Sequence, residues 1–296
     1  MNNDMEYVVG LGEALWDKLP AGKKLGGAPA NFAYHAGQFG LRSCVVSAVG
    51  DDALGHELLD AVGKCGIEHR IQTVGHATGE VNVTLDDAGI PQYDIREDVA
   101  WDNIPFNEEL QSLAARTRAV CFGSLAQRND VSRHTIARFI ESMPRRDDTL
   151  IVFDINLRQN YYSREVAEQS LNLCNILKIN DEELVVVSGM LGYGNISQEE
   201  ACRRLLHDYG LRVVILTCGV NGSHVYTADG SSFLPTPTVE VADKVGAGDS
   251  FTGAFVASLL MGKSVVEAHR KAVDVSAYVC SQPGAMPRLP QSLTRR

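Results

Sequence analysis

The 296-residue chain has no C-x-x-C pair, no H-E-x-x-H spacing and no apolar run approaching the length of a membrane span. Its seven cysteines are scattered and odd in number, which argues against a zinc ribbon or a disulfide framework and suits reduced thiols in a cytosolic, cytoplasmic protein. The eight histidines lack ligand spacing, so no protein-held transition metal is expected. Positive charge is also scarce: 27 Lys and Arg stand against 37 Asp and Glu, a formal net charge of -10. Nucleic acids and anionic membranes need a basic surface, so neither is expected as a partner. Residues Met1 to Tyr7 are polar and acidic, and neither a signal peptide nor a transmembrane helix is expected. No repeat, low-complexity tract or Pro-rich linker divides the chain, and one domain over 1–296 is expected.

What is present is an alternation of β-rich apolar runs with helical patterns. Tyr7–Gly12 precedes a helix from Pro29 to Phe39, and Ser43–Val49 precedes one from Leu54 to Lys64. Further strands are expected at Ala119–Gly123, Leu150–Ile155, Ile176–Ile179 and Val213–Thr217. This order predicts an α/β fold, a mainly parallel sheet between helices. Two stretches break the rhythm. Glu13 to Lys24 has no helical pattern, and Thr78 to Trp101 holds strand-like Val81–Leu85 and Gln92–Ile95 around the turn Asp86-Asp87-Ala88-Gly89. Together they predict a small β flap over one end of the sheet, formed by about 13–25 and 78–101; long surface connections are the alternative.

The run Val245-Gly246-Ala247-Gly248-Asp249-Ser250-Phe251 carries the most chemistry. Its glycines leave backbone N–H groups uncovered, and Phe251, Ala254, Phe255, Ser258 and Leu259 continue at helical spacing. A glycine turn opening a helix can hold a phosphate on unpaired N–H donors. A carboxylate there would repel that phosphate unless Asp249 takes a proton from the group attacking it; otherwise Asp249 is an N-cap. The common nucleotide fingerprints fail. Gly10-Leu11-Gly12 has Leu15 where a third glycine belongs, and Gly262-Lys263-Ser264 follows a helix instead of opening one, with Gly262 as its C-cap.

Other clusters fall at strand ends, where open α/β sheets bind ligands. Gly26 and Gly27 precede a helix with Pro29 in its first turn and Asn31 able to donate to and accept from hydroxyls. Asp154-Ile155-Asn156-Leu157-Arg158 ends in a guanidinium suited to phosphate oxygens. Asn180-Asp181-Glu182-Glu183 offers oxygen ligands for a hydrated Mg²⁺, or simply an acidic helix start. Thr217-Cys218-Gly219-Val220-Asn221-Gly222 suits nucleotide phosphates or ribose, or a plain hairpin turn.

Gly26-Gly27-x-x-x-Asn31 and Asp243-Lys244-Val245-Gly246-Ala247-Gly248-Asp249 closely resemble the two signatures of the ribokinase, or PfkB, family of carbohydrate kinases. The N-x-x-E pair Asn180 and Glu183 and the T-x-G-x-x-G element Thr217, Gly219, Gly222 match in order, so the resemblance runs from about Tyr7 to Pro287. It implies a ribokinase-like fold with a β-sheet lid, and it implies roles by position. Asp249 would be the catalytic base, with Gly246, Ala247 and Gly248 forming the anion hole and Arg158 adding charge. Asp17, Gly26, Gly27 and Asn31 would bind the sugar. Asn180 and Glu183 would organise Mg²⁺ through water. Thr217, Gly219 and Gly222 would line the ATP site, with the loop from Cys280 to Ala285, Gly284 included, near the adenine. Many members also bind a monovalent cation such as K⁺, for which Asp243, Val245 and the Cys280–Gly284 loop are the candidates here.

Gly26-Gly27-Ala28-Pro29-Ala30-Asn31 and the Asp154-Ile155-Asn156-Leu157-Arg158 segment look more like fructokinases and 2-keto-3-deoxygluconate kinases than like ribokinase, and Gly12-Glu13-Ala14-Leu15-Trp16-Asp17 is likewise fructokinase-like. Position 244 is usually threonine, and Lys244 departs from that pattern. The resemblance implies ATP-dependent phosphorylation of a ketohexose, D-fructose first, with 2-keto-3-deoxygluconate or another sugar or nucleoside next. A non-catalytic sugar-binding regulator on the same scaffold is the reading from another class. A homodimer through the lid is implied as well.

Overall fold

The computed structural model describes residues 6–19, 22–85 and 91–295. Its first strand explains the architecture. Tyr7–Leu11 (β1) is buried along its whole length, with Tyr7, Val9 and Leu11 in one core and Val8 in another. A strand apolar on both sides belongs in a parallel sheet covered by helices on both faces.

The chain continues through β2 (Leu15–Leu19), β3 (Gly22–Gly26), α1 (Ala28–Gly37), β4 (Arg42–Gly50), α2 (Ala53–Lys64), β5 (Glu68–Val74), β6 (Glu80–Leu85) and β7 (Pro91–Ile95). There follow α3 (Glu108–Ala114), β8 (Thr117–Phe122), α4 (Asp130–Glu141), β9 (Leu150–Asp154), α5 (Arg164–Leu173), β10 (Ile176–Asn180), α6 (Asp181–Leu191) and α7 (Gln198–Asp208). The last elements are β11 (Val213–Thr217), β12 (Ser223–Thr227), β13 (Gly230–Leu234), α8 (Ala247–Leu260), α9 (Val265–Cys280) and α10 (Gln291–Thr294).

Among the described residues the main sheet has the order β13-β12-β11-β10-β9-β8-β1-β4-β5. It is parallel from β11 to β5, and β12 and β13 add an antiparallel edge. Phe32, Phe251, Phe255 and Leu58 pack in the core with Val8, whereas Leu110, Ile136, Leu171 and Leu205 pack in the core with Val9. Gly10 lets α1 press onto β1: a Cβ there would stand 1.9 Å from the Pro29 carbonyl oxygen. This close approach, with no dinucleotide involved, accounts for the first glycine of Gly10-Leu11-Gly12.

The predicted flap is a second sheet with the order β3-β2-β6-β7. The turn expected at Asp86-Asp87-Ala88-Gly89 lies outside the described residues. Gly262, at φ 80, follows the end of α8 as expected of a C-terminal glycine. Among the described residues no helix is long and apolar enough to cross a membrane.

Candidate active site

The carboxyl ends of β1, β9 and β10 converge near the first turns of α1 and α8. Gly246 is the N-cap of α8, at φ 79, and no side chain caps the helix. The N-cap alternative for Asp249 is therefore set aside: Asp249 stands inside the first turn, while the helix presents bare N–H groups and its positive end.

Asp249 is tied to the other helix. Asn31, in the first turn of α1, donates Nδ2–H to Asp249 Oδ2 at 2.7 Å. Solvent still touches Asp249, but protein surrounds it. That desolvation, with the Asp154 carboxylate, raises its pKa to about 6 against the opposing pull of Asn31, Lys178 and Arg158. A carboxyl group so poised is ionised near neutrality and basic enough to take a hydroxyl proton.

The predicted sugar residues lie on the same side. Gly27 is the N-cap of α1 at φ 114, and a Cβ there would stand 2.2 Å from the Glu13 carbonyl oxygen. A Cβ on Gly26 would come 2.3 Å from Asp17 Oδ2, so the Asp17 carboxylate lies directly over that glycine. Burial raises Asp17 to about 6, with Arg158 and Lys24 pulling the other way. Asn31 is 3% exposed, and its Oδ1 has no protein partner. Glu13, also buried, accepts from the Ala28 N–H through Oε1 at 3.3 Å, while its Oε2 has no partner. Burial and the Asp249 charge push Glu13 up to about 7.

Sequence reading missed a buried ion pair at the centre. Lys178 Nζ lies 3.0 Å from Asp154 Oδ1, and Thr252 Oγ1 donates to Asp154 Oδ2 at 3.3 Å. Burial opposes the Lys178 charge, but Asp154, Glu183 and Asp249 outweigh it and hold the ammonium above its ordinary range. A Cβ on Gly248 would stand 2.9 Å from Lys178 Nζ, so the ammonium lies against the first turn of α8. The available signal was an ionisable residue between Leu177 and Ile179 in a buried strand, and likewise Glu13 directly at the end of β1.

Arg158 stands at the rim of the site. It is exposed on the loop after β9, where Asn156 takes φ 44, and its Nη1 donates to the Leu157 carbonyl at 3.1 Å. Its charge reaches Glu13, Asp17 and Asp249 from the rim.

Asn180 and Glu183 form a reciprocal capping box. Asn180 Oδ1 accepts from the Glu183 N–H at 2.8 Å, and Glu183 Oε2 accepts from the Asn180 N–H at 2.9 Å. Glu183 Oε1 accepts from the Leu157 N–H at 2.9 Å. Burial raises the Glu183 pKa despite Lys178 and these bonds. Among the described residues no group of three or more His, Cys, Asp or Glu forms a metal cage. The donor set does fit Mg²⁺ held mainly by water and phosphate, with one or two carboxylates behind them.

Thr217 ends β11, and Gly219 and Gly222 lie in its connection to the antiparallel β12, the hairpin alternative. Thr236 Oγ1 donates to the Gly219 carbonyl at 2.5 Å, and Cys218 N–H to the Gly222 carbonyl at 2.9 Å. Asp243 organises the chain that leads into the Gly246 turn. It accepts from Val245 N–H at 3.0 Å and Gly284 N–H at 3.1 Å, and Lys24 Nζ of the lid stands 3.4 Å away. Burial works against its charge, but these donors hold its pKa below the ordinary value. The Cys280 carbonyl accepts from the Ala242 and Asp243 N–H groups at 2.9 and 3.2 Å. A cation on the Asp243 carboxylate would therefore compete with Lys24, and one on Cys280 with two N–H donors. Lys244 is exposed.

Residues 20–292 match the sequence pattern of the pfkB family carbohydrate kinases. The ATP-dependent 6-phosphofructokinase of Thermoanaerobacterium thermosaccharolyticum is 29% identical over 274 residues, covering 90% of this chain and 82% of that protein. The Arabidopsis thaliana protein named probable fructokinase-5 is 28% identical over 312 residues, 96% of this chain and 94% of the relative. The crystal structure of fructokinase with bound ATP from Xylella fastidiosa superimposes with a TM-score of 0.84 at 21% identity, covering 98% of each chain.

Proposed function

The chain belongs to the pfkB family of carbohydrate kinases and is an ATP-dependent sugar kinase, and from that premise we propose that its acceptor is a neutral ketohexose, D-fructose, phosphorylated at O6. The observation that carries this reading is the 2.7 Å bond from Asn31 to Asp249 at the uncapped start of α8. It joins a hydroxyl-binding amide, a base and an anion hole in one place.

In the proposed reaction Asp249 accepts the O6 proton as O6 bonds to the γ-phosphorus and the bond to the ADP oxygen breaks, the electron pair leaving with ADP. The N–H groups of Gly246 to Asp249 receive the charge on the phosphoryl oxygens, with Lys178 behind Gly248. Asp17, Gly26, Gly27 and Asn31 bind the sugar, and Thr217, Gly219, Gly222 and Gly284 border the nucleotide. Mg²⁺ bound to the ATP phosphates would neutralise charge there, oriented through water by Glu183 and Asn180. The carbonyls of Asp243 and Val245, with those of the loop that ends at Gly284, are the candidates for a monovalent cation. Arg158 attracts the triphosphate from the rim, and the lid excludes water.

A neutral acceptor is favoured by the charges around the sugar residues. Glu13, Asp17 and Asp249 all border that space, whereas Arg96 of the lid is drawn to Glu80 at 3.4 Å, Lys24 is drawn to Asp243, and Arg158 reaches the three carboxyl groups only from the rim. An acidic or phosphorylated sugar would meet three carboxyl groups there. In the lid, β3 and β7 are edge strands, and a second copy of the chain meeting along them would cover unpaired backbone.

A coupled ADP-release assay across fructose, fructose 6-phosphate, 2-keto-3-deoxygluconate, ribose and a nucleoside tests the reading. Fructose should give the highest kcat/KM. A preference for either acidic acceptor overturns the neutral assignment, and no turnover with any of them favours a non-catalytic regulator.

A further inference from the structure

The segment that follows α9 is held by α1 at alternate residues. His35, buried within α1, donates Nε2–H to the Ala285 carbonyl at 2.8 Å, and its Nδ1 accepts from Gln38 Nε2 at 3.4 Å. Gln38 Nε2 also donates to the Pro287 carbonyl at 3.3 Å, and Gln38 Oε1 accepts from the Leu289 N–H at 2.7 Å. A carbonyl only accepts, so Nε2 carries the ring proton and Nδ1 is left as the acceptor. Burial, which pushes His35 down to about 4, keeps the ring in that neutral form.

Ala285 also abuts the Gly246 turn. A Cβ on Gly246 would stand 2.7 Å from the Ala285 carbonyl oxygen and 2.8 Å from its Cα and Cβ. Gly284, one residue earlier, is anchored to Asp243 by its N–H. α1 and α8 touch nearby, since a Cβ on Gly253 would come 3.0 Å from His35 Cβ. The Ala285 carbonyl therefore meets both His35 and the Gly246 turn. Asn31 stands four residues before His35 on α1, so one helix both grips Asp249 and sets the floor under Gly246.

We propose that His35 and Gln38 are positioning residues that fix residues 285–289 and thereby the height of the Gly246 turn where the transferred phosphoryl group is received. The proposal rests on reading that turn as the phosphoryl site. Neither residue touches substrate; both act through backbone carbonyls and N–H groups. Loss of the clamp loosens the turn while Asp17, Gly27 and Asn31 keep their places.

Amide hydrogen exchange and steady-state kinetics on the full chain test this with Gln38→Ala, His35→Phe and His35→Gln. Gln38 is only half-buried, so its variant keeps the test open if His35→Phe fails to fold. Exchange should quicken in both 284–289 and 246–250. The KM for ATP should rise about five- to tenfold, the scale of one net hydrogen bond, with the sugar KM within about twofold. His35→Gln, which keeps an N–H donor, should recover most of the loss seen in His35→Phe. Faster exchange confined to 284–289 with an unchanged ATP KM overturns the proposal, as does an equal rise in both KM values. Should the unaltered chain turn over no sugar, the kinase assignment fails, while the exchange comparison still decides the coupling.

Discussion

Asn31 donates to Asp249 Oδ2 across 2.7 Å, and so the first turns of α1 and α8 are joined at the atoms that would meet the sugar. The bond occupies one carboxylate oxygen and leaves the other for a substrate proton. It also favours the ionised form, against the burial and the Asp154 charge that raise the Asp249 pKa.

Asp249→Asn removes the base without changing size. Loss of a general base costs about 10²–10⁴ in rate. The variant should fold, bind fructose in calorimetry and lose kcat on that scale. An unchanged kcat removes Asp249 from the base role.

The pH dependence follows from the raised pKa values. Asp249, at about 6, works only when deprotonated, so kcat/KM should fall as pH drops through about 6 and level off above. Glu13, at about 7, interacts with Asp249 by charge, so the acid limb belongs to the pair. Glu13→Gln keeps the neutral neighbour that Asp249 meets as it titrates near 6, so the limb should stay close to that pH. A limb that moves to lower pH in Glu13→Gln shows that Glu13 carries its charge where Asp249 titrates.

Lys178 and Asp154 form a pair that is costly to break from one side. Lys178→Met leaves a buried carboxylate uncompensated, which typically costs about 3–5 kcal/mol. Denaturant unfolding should register that loss, and kcat should fall as well. The double variant Lys178→Met with Asp154→Asn should recover much of the stability and none of the kcat. Recovery of both would make the pair purely structural.

Legibility in the sequence followed burial. β1, β8, β9, β10 and β11 were readable because they hold runs such as Leu150–Phe153, apolar at every position. β5 was not, since Glu68, His69, Arg70 and Gln72 leave Ile71 and Val74 as its apolar residues and it forms an edge of the sheet. β12 and β13 were hidden by their serines and polar residues, not by length, since β9 is just as short. Both signature glycine turns were visible because a backbone that must be bare requires glycine. Glu13 and Lys178 were not, because what they do depends on which carboxyl groups the fold brings beside them, and spacing along the chain does not record that.

Gly246→Ala separates backbone strain from displacement of the turn. A left-handed φ costs an L-residue about 1–2 kcal/mol. Gly246 at φ 79 and Gly262 at φ 80, at opposite ends of α8, should share that cost. Their surroundings differ: a methyl at 246 meets Ala285, whereas one at 262 meets nothing within 4 Å. Both alanine variants should therefore lose similar stability from the backbone, with an added loss at 246. Gly262→Ala should keep its kinetic constants. Gly246→Ala should raise the KM for ATP and lower kcat, because its turn must lift away from Ala285 and carry the anion-hole N–H groups with it. Equal kinetics in the two variants would mean that the α8 N-terminus does not receive the phosphoryl group.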